Sequence, residues 1–136
     1  MTNHIAIAET DVRAPIDEVW AALIDTDSLG RIMFDSTIST TWEPASPIVF
    51  SGEWQGTPFE DRGEVTTVTE PTLLAFTQRS GTDPATHAIQ VELRQLGPAT
   101  HVRLTQDRNA SLEAAEHSAE NWEAMLDRLR DEVERS

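Results

Sequence analysis

The strongest constraint on the fold is a helical repeat near the end of the chain. Between Ser111 and Arg135, apolar residues recur at alternating spacings of three and four, at Leu112, Ala115, Ala119, Trp122, Leu126, Leu129 and Val133. This spacing predicts one long helix with a single apolar stripe. Asn109 or Ser111 can cap its start. A two-helix coiled coil would use the same stripe, but so would a sheet formed by the rest of the chain.

Alternating apolar residues in the middle of the chain predict such a sheet. His87, Ile89, Val91 and Leu93 alternate strictly with polar residues, and turn residues recur about every ten positions, which is typical of an antiparallel meander. The predicted strands cover residues 4–13, 38–42, 48–54, 59–69, 73–79, 87–93 and 102–106, with a loop at 80–84. The first strand carries Ile5, Ile7 and Val12.

Two short helices are predicted after the first strand. Pro15 suits a first helical turn, and the apolar residues Ile16, Val19, Trp20, Leu23 and Ile24 then share one helix face. The segment 25–28 ends this helix, and 29–34 forms a second helical turn. The sequence therefore predicts a single α+β domain over residues 1–136, in which a six- to seven-stranded antiparallel sheet wraps around the long C-terminal helix.

The charge balance excludes several classes of function. The chain has 24 acidic residues against 10 basic ones, all of them arginine, and a net charge of −14. A field of this sign repels phosphate backbones and anionic lipids, so we expect neither a nucleic-acid nor a membrane partner. The chain has no cysteine, and its first residues lack the pattern of a secretion signal. The sequence predicts a cytoplasmic protein.

Several stretches of the chain match the motifs of a known family. They are APIDEVWAAL at 14–23, GEWQG at 52–56, GEV at 63–65, the Glu70-Pro71 turn before LLAFT at 73–77, THVRLT at 100–105 and ENWEAML at 120–126. With these the chain resembles the START-like superfamily, also called SRPBCC or helix-grip proteins. The resemblance is to the branch named after the activators of the ninety-kilodalton heat-shock chaperone's ATPase. It implies an elongated apolar cavity between sheet and helix. Some members bind lipids, hormones or isoprenoid-like molecules in this cavity, and others, such as polyketide cyclases, catalyse reactions in it.

A set of aromatic, methionine and inward-facing polar side chains forms the predicted ligand site. Aromatic and methionine side chains are typical of apolar pockets, and an inward polar side chain either pairs inside the protein or orients a ligand. The candidates are Phe34, Trp42, Phe50, Trp54, Phe76, Gln78, His87, Gln106, Trp122 and Met125. The same residues would also fill a solid core that has no cavity. His87 would also suit the end of its strand at the mouth of the cavity, paired within the protein and without any ligand.

Signals for catalysis or metal binding are weak in this sequence. The chain has no G-x-S-x-G, H-E-x-x-H or G-x-G-x-x-G motif. His101 is predicted to face solvent and His117 to lie on the outer helix face, while alternation puts Glu60 and Asp61 on opposite faces of a strand. We therefore expect a binder of a small hydrophobic molecule, with no metal, no cofactor and no catalytic residue, as a monomer or homodimer. The alternatives are a cyclase- or hydrolase-type enzyme that uses His87, and a protein-interaction module such as a chaperone partner that uses the outer sheet surface.

Overall fold

The structure, a computed structural model, describes residues 4–80 and 85–135. Residues 81–84, which the sequence predicts as part of a loop, lie outside the described residues, as does the side chain of Trp54. The elements follow the predicted order. They are β1 (His4–Val12), α1 (Ile16–Ile24), α2 (Thr26–Ile32), β2 (Thr37–Ser39), β3 (Pro47–Trp54), β4 (Thr57–Thr69), β5 (Leu73–Gln78), β6 (His87–Leu96), β7 (Ala99–Asn109) and α3 (Leu112–Glu134).

All seven strands form one antiparallel sheet, and α3 packs on its concave face. The strand order is β1-β7-β6-β5-β4-β3-β2, so every strand pairs with a neighbour in sequence except β1, which joins the sheet through β7. Helix α3 contacts β1 and β7 of the sheet and also the two short helices α1 and α2. This confirms the predicted α+β helix-grip arrangement. No helix in the described part of the chain combines the length and the apolar character needed to span a membrane.

The core lies between the inner faces of the strands and the apolar stripe of α3. Its most deeply buried side chains include Phe50, Ile89 and Leu104 from the sheet and Leu126 and Leu129 from α3. Burying a side chain of this size contributes about 1.5–3 kcal/mol relative to leaving it in water. The packing of α3 is therefore a main source of stability.

The first strand presents its large side chains to the outside, which the sequence pattern did not predict. Ile5 and Ile7 are 51% and 42% exposed, whereas Ala6 and Ala8 are buried against the core. Side chains alternate along a strand, so Ile5 and Val12, an odd number of residues apart, cannot share a face. The small alanines on the inner face leave room for α3 to lie directly over β1.

The helix ends also differ from the predictions in informative ways. Ser111 caps α3, because its hydroxyl accepts a hydrogen bond from the backbone N–H of Ala114 at 3.0 Å. Leu112, predicted in the buried stripe, is 65% exposed because it lies in the first turn, beyond the part of α3 that packs on the core. Helix α2 begins at Thr26, not Leu29, since the Asp25 carboxylate caps it.

The second predicted strand is shorter than the sequence indicates. It ends at Ser39, and Trp42, at the end of the predicted strand, has a φ of 63°, a left-handed conformation that does not occur in a regular strand. The indole N–H of Trp42 instead donates to the carbonyl of Ile24 at 2.6 Å, at the C-terminal end of α1. Trp42 therefore closes the end of a helix and packs against the edge of the core.

Candidate functional site

Four neighbouring strands each place one polar side chain on the concave face of the sheet. These side chains, here called the polar row, are Asp61 of β4, Gln78 of β5, His87 of β6 and Gln106 of β7. Pairing shows which way they face: Asp61 lies opposite Phe50, and Gln78 lies opposite His87. All four are half-buried. The concave face thus changes from apolar to polar along the strands.

Asp61 and Gln78 are joined by a hydrogen bond. The Gln78 Nε2–H group donates to Asp61 Oδ2 at 3.0 Å. Burial raises the pKa of the Asp61 carboxyl above its ordinary value of 3.8, and the hydrogen bond from Gln78 acts in the opposite direction. Asp61 belongs to none of the ion pairs among residues 4–80 and 85–135. The concave face therefore carries a carboxylate with an amide partner rather than a cationic one.

His87 is held at the start of β6 by the backbone of β7. Its Nδ1 lies 2.7 Å from the carbonyl oxygen of Asp107, which can only accept, so Nδ1 carries the ring hydrogen. The carboxylate of Asp107 in turn accepts from the backbone N–H of Ala88 at 2.6 Å. These contacts fix both the tautomer and the position of the imidazole.

Gln106 connects the sheet to α3. The indole N–H of Trp122 donates to Gln106 Oε1, so the amide nitrogen of Gln106 is the donor that remains on that side chain. Trp122 is half-buried and packs against the edge of the core. The polar row therefore continues across to the helix, and Gln106 and Trp122 mark its end.

Three of the predicted ligand-lining side chains form an apolar base beneath the polar row. Phe50, Phe76 and Met125, here called the apolar base, are only 1%, 4% and 3% exposed. The two phenyl rings are tilted by 41° with centroids 5.6 Å apart. Because these side chains already contact protein atoms over nearly their whole surface, a ligand would contact this base from its polar edge.

Two of the three other predicted site residues, Trp42 and Phe34, lie apart from this arrangement. Trp42 closes the end of α1, as described above. Phe34, with a φ of 59°, is 43% exposed, and its ring centroid lies 4.7 Å from the guanidinium carbon of Arg128 on the outer side of α3. The side chain of Trp54 lies outside the described residues.

Two residues of this site, Asp61 of the polar row and Phe59 beside it, are not among the predicted ligand contacts. From the sequence, Asp61 is a candidate only for carboxylate chemistry, and Phe59 is not a candidate site residue. A Cβ atom at Gly52 would lie 3.1 Å from Cε1 of Phe59, so the Phe59 ring covers the glycine beside the row. The alternation of Phe59 and Asp61 with the buried Val65 was the signal that would have identified both.

The outer face of the sheet carries a groove of about 680 Å³. His101 lies in it and bonds to Asp11 through Nδ1 at 2.7 Å and to Glu9 through Nε2 at 3.0 Å. These two hydrogen bonds raise the pKa of His101 above its ordinary value of 6.5, and the bond to Asp11 has the larger effect. His101 thus faces away from the core, as predicted. Within the described ranges, no group of three or more His, Asp or Glu side chains is arranged to hold a metal ion.

Comparison with known proteins gives a family and several solved structures of the same fold. The family model described as "Activator of Hsp90 ATPase homolog 1-like protein" matches residues 13–134. A solution structure from Cytophaga hutchinsonii is 33% identical, covers 96% of this chain and 94% of its own, and superposes with a TM-score of 0.81. A crystal structure from Mesorhizobium loti is 17% identical, with 98% of both chains covered and a TM-score of 0.83.

A further structural neighbour is DynU16, a protein of the dynemicin biosynthetic locus. It is 19% identical, with a TM-score of 0.82 over 96% of this chain and 47% of that protein. At this identity the likeness concerns the fold. The search of curated proteins found no significant match to the sequence.

Proposed function

The chain belongs to the family of Activator of Hsp90 ATPase homolog 1-like proteins, and from this membership and the site geometry we propose that it binds a small hydrophobic molecule between the sheet and α3. The observation that carries the proposal is the polar row at the edge of an apolar base. Gln78 reaches only one of the two Asp61 oxygens, and Trp122 occupies only the Oε1 atom of Gln106. A bound molecule can use the hydrogen-bonding capacity that remains on these side chains. A solid core would gain more from apolar side chains at the same four positions.

The proposed ligand lies at the boundary between the polar row and the apolar base. Its apolar body would contact Phe59, Trp122 and the edge of the base, and its polar end would reach the row. Sites for small molecules commonly combine a mainly apolar lining with a few polar groups that fix orientation. The predicted lipid-, isoprenoid- or polyketide-like ligand suits this combination. The biosynthetic locus of DynU16 is a reason to include polyketides in a test panel.

Native mass spectrometry of the protein purified from its own cells tests the proposal, followed by solvent extraction of any bound molecule. We expect a stoichiometric apolar compound. A clean apo mass, together with no change in tryptophan fluorescence across a panel of lipids and polyketides, would refute the proposal.

A matched pair of variants locates the site. Gln78→Leu removes an amide from the polar row, and Gln90→Leu makes the same change at an exposed position on the outer face of β6. We expect Gln78→Leu to weaken binding of the extracted compound about tenfold, the effect of losing one good hydrogen bond of about 1.4 kcal/mol. Gln90→Leu should bind like the unmodified protein. Equal effects of the two substitutions would place the ligand elsewhere.

A second candidate function is protein interaction through the outer face of the sheet. It is favoured by the exposed side chains of Ile5 and Ile7, the second of which lines the outer groove. Sedimentation velocity of the protein and of Ile7→Glu tests whether this face joins two copies of the chain. A dimer that the substitution dissociates would support this function, and a monomer in both samples would argue against self-association.

The enzymatic alternative depends on His87, which has a fixed tautomer beside the site. In an enzyme that uses this histidine for proton transfer, His87→Ala abolishes turnover of the extracted compound. In a carrier, the same substitution only weakens binding. Incubation of the extracted compound with both proteins, followed by product detection, separates the two functions.

A further inference from the structure

We propose that the molecule bound at this site presents a hydrogen-bond donor, such as a hydroxyl group, to Asp61 and Gln78, and that the site rejects ligands with a carboxylate at that end. The inference rests on the proposed function and specifies the chemistry of its ligand. It distinguishes among the candidate classes, since it favours hydroxylated apolar molecules over fatty acids.

The first argument is the hydrogen-bonding capacity that the Asp61–Gln78 pair leaves unused. A carboxylate offers two acceptor oxygens, and Gln78 uses only Oδ2. The Nε2 group of Gln78 uses one of its two N–H donors on Asp61, and the Oε1 atom of the same amide is a further acceptor. In the part of the chain that the structure describes, no group donates to Asp61 Oδ1 or Gln78 Oε1. Asp61 and Gln78, on neighbouring strands, therefore each keep an acceptor oxygen that no described group occupies.

The second argument is the charge around this pair. Arg62 and Arg79 flank it in sequence but are exposed, and Arg62 pairs with Glu60 on the opposite face of β4 at 2.8 Å. The chain has no lysine and a net charge of −14. A ligand carboxylate at this end would lie beside Asp61, which belongs to none of the ion pairs among residues 4–80 and 85–135. Burying two like charges in this way is strongly unfavourable.

The titration of Asp61 supports the same conclusion. Burial raises the pKa of this carboxyl, so its environment solvates the negative charge poorly. A donor from the ligand would stabilise the charged form at the oxygen that Gln78 does not reach. Hydrogen bonds to charged groups are stronger than those between neutral groups.

Three compounds with the same bicyclic body test the inference. 2-Naphthol carries a donor, 2-methoxynaphthalene replaces it with an acceptor, and 2-naphthoate replaces it with an anion. By isothermal titration calorimetry at neutral pH, we expect 2-naphthol to bind about tenfold tighter than 2-methoxynaphthalene, equivalent to about 1.4 kcal/mol. 2-Naphthoate should bind most weakly.

Two isosteric variants on the same strand assign the preference to one carboxylate. In Asp61→Asn the amide oxygen would accept from Gln78, which turns the amide nitrogen toward the ligand as a donor. The preference for 2-naphthol over 2-methoxynaphthalene should then disappear, and 2-naphthoate should gain affinity. Glu60→Gln removes the same charge one residue away on the outer face, and it should keep the preferences of the unmodified protein.

The possible outcomes separate this inference from the proposed function. Binding of all three compounds with equal affinity, or tightest binding of 2-naphthoate, overturns the donor preference and leaves the carrier function standing. A preference that survives in Asp61→Asn overturns the role of Asp61. No binding of any compound, together with a clean apo mass of the native protein, overturns the proposed function and with it the inference.

Discussion

The close approach of β4 and β5 at Gly63 permits a quantitative prediction for Gly63→Ala. A Cβ at this position would lie 1.7 Å from the carbonyl oxygen of Thr77, whereas such contacts essentially never fall below 3.0 Å. The strands would have to separate by about 1.3 Å, the difference between these two distances. Beside Gly63, Arg62 and Arg79 exchange two backbone hydrogen bonds of 3.0 and 2.7 Å. The same separation would stretch both to about 4 Å, beyond hydrogen-bonding distance.

The expected loss of stability follows from these contacts. Two hydrogen bonds at about 1 kcal/mol each, with the strain of displacing a strand, add up to about 3 kcal/mol. For a domain of this size, that corresponds to a fall in melting temperature of roughly 10 °C. Urea unfolding followed by circular dichroism measures the loss as a lower midpoint with an unchanged slope.

Gly97→Ala is the matched control for this prediction. Gly97 has a φ of 60° in the β6–β7 turn, and a Cβ there would meet no atom within 4 Å. Its substitution therefore costs only the left-handed backbone conformation, about 1 kcal/mol. If Gly63→Ala is no more destabilising than Gly97→Ala, the reasoning from strand separation is wrong.

Three further predictions concern titrating groups and a helix cap. Asp11 and Glu9 raise the pKa of His101 in the folded state. These contacts therefore stabilise the fold below pH 6.5, and the stabilisation is lost as the pH rises through the folded-state pKa. The melting temperature of His101→Gln should lack this pH dependence. The raised pKa of Asp61 means that its charged form disfavours folding. Asp61→Asn should therefore melt higher than the unmodified protein at pH 7, by a margin that shrinks as the pH falls toward 3.8. Ser111→Ala removes the cap of α3 and should cost about 1 kcal/mol in urea unfolding, and an unchanged midpoint would contradict the capping role.

The order of elements and the inward side of most strands could be predicted from the sequence. Strict alternation identified Gln78, His87 and Gln106 as inward-facing, because one face of each of these strands is buried and the period is two. The long helix was equally clear from its spacing. These predictions depend on local periodicity, which a single sequence contains.

The contacts within the site could not be predicted in the same way. The Asp61–Gln78 pair depends on the register between β4 and β5, which shifts between Val65 and Thr67. Trp42 and Phe34 have left-handed backbone conformations, and their side chains contact the end of α1 and Arg128 rather than the polar row. Register shifts and left-handed non-glycine residues depend on the packing of the whole fold, so a pattern of residue types does not reveal them.

The place of β1 in the sheet has a consequence for the order in which the protein folds during synthesis. The partner of His4 in the sheet is Asn109, and the backbone N–H of Arg13 donates to the Glu134 carboxylate. Strand β1 leaves the ribosome before the other six strands of this sheet and therefore stays unpaired until β7 has been made. Such distant pairing slows folding. Until β7 and α3 have been made, the alanine face and the isoleucine face of β1 are both open to water, so this edge of the sheet forms late.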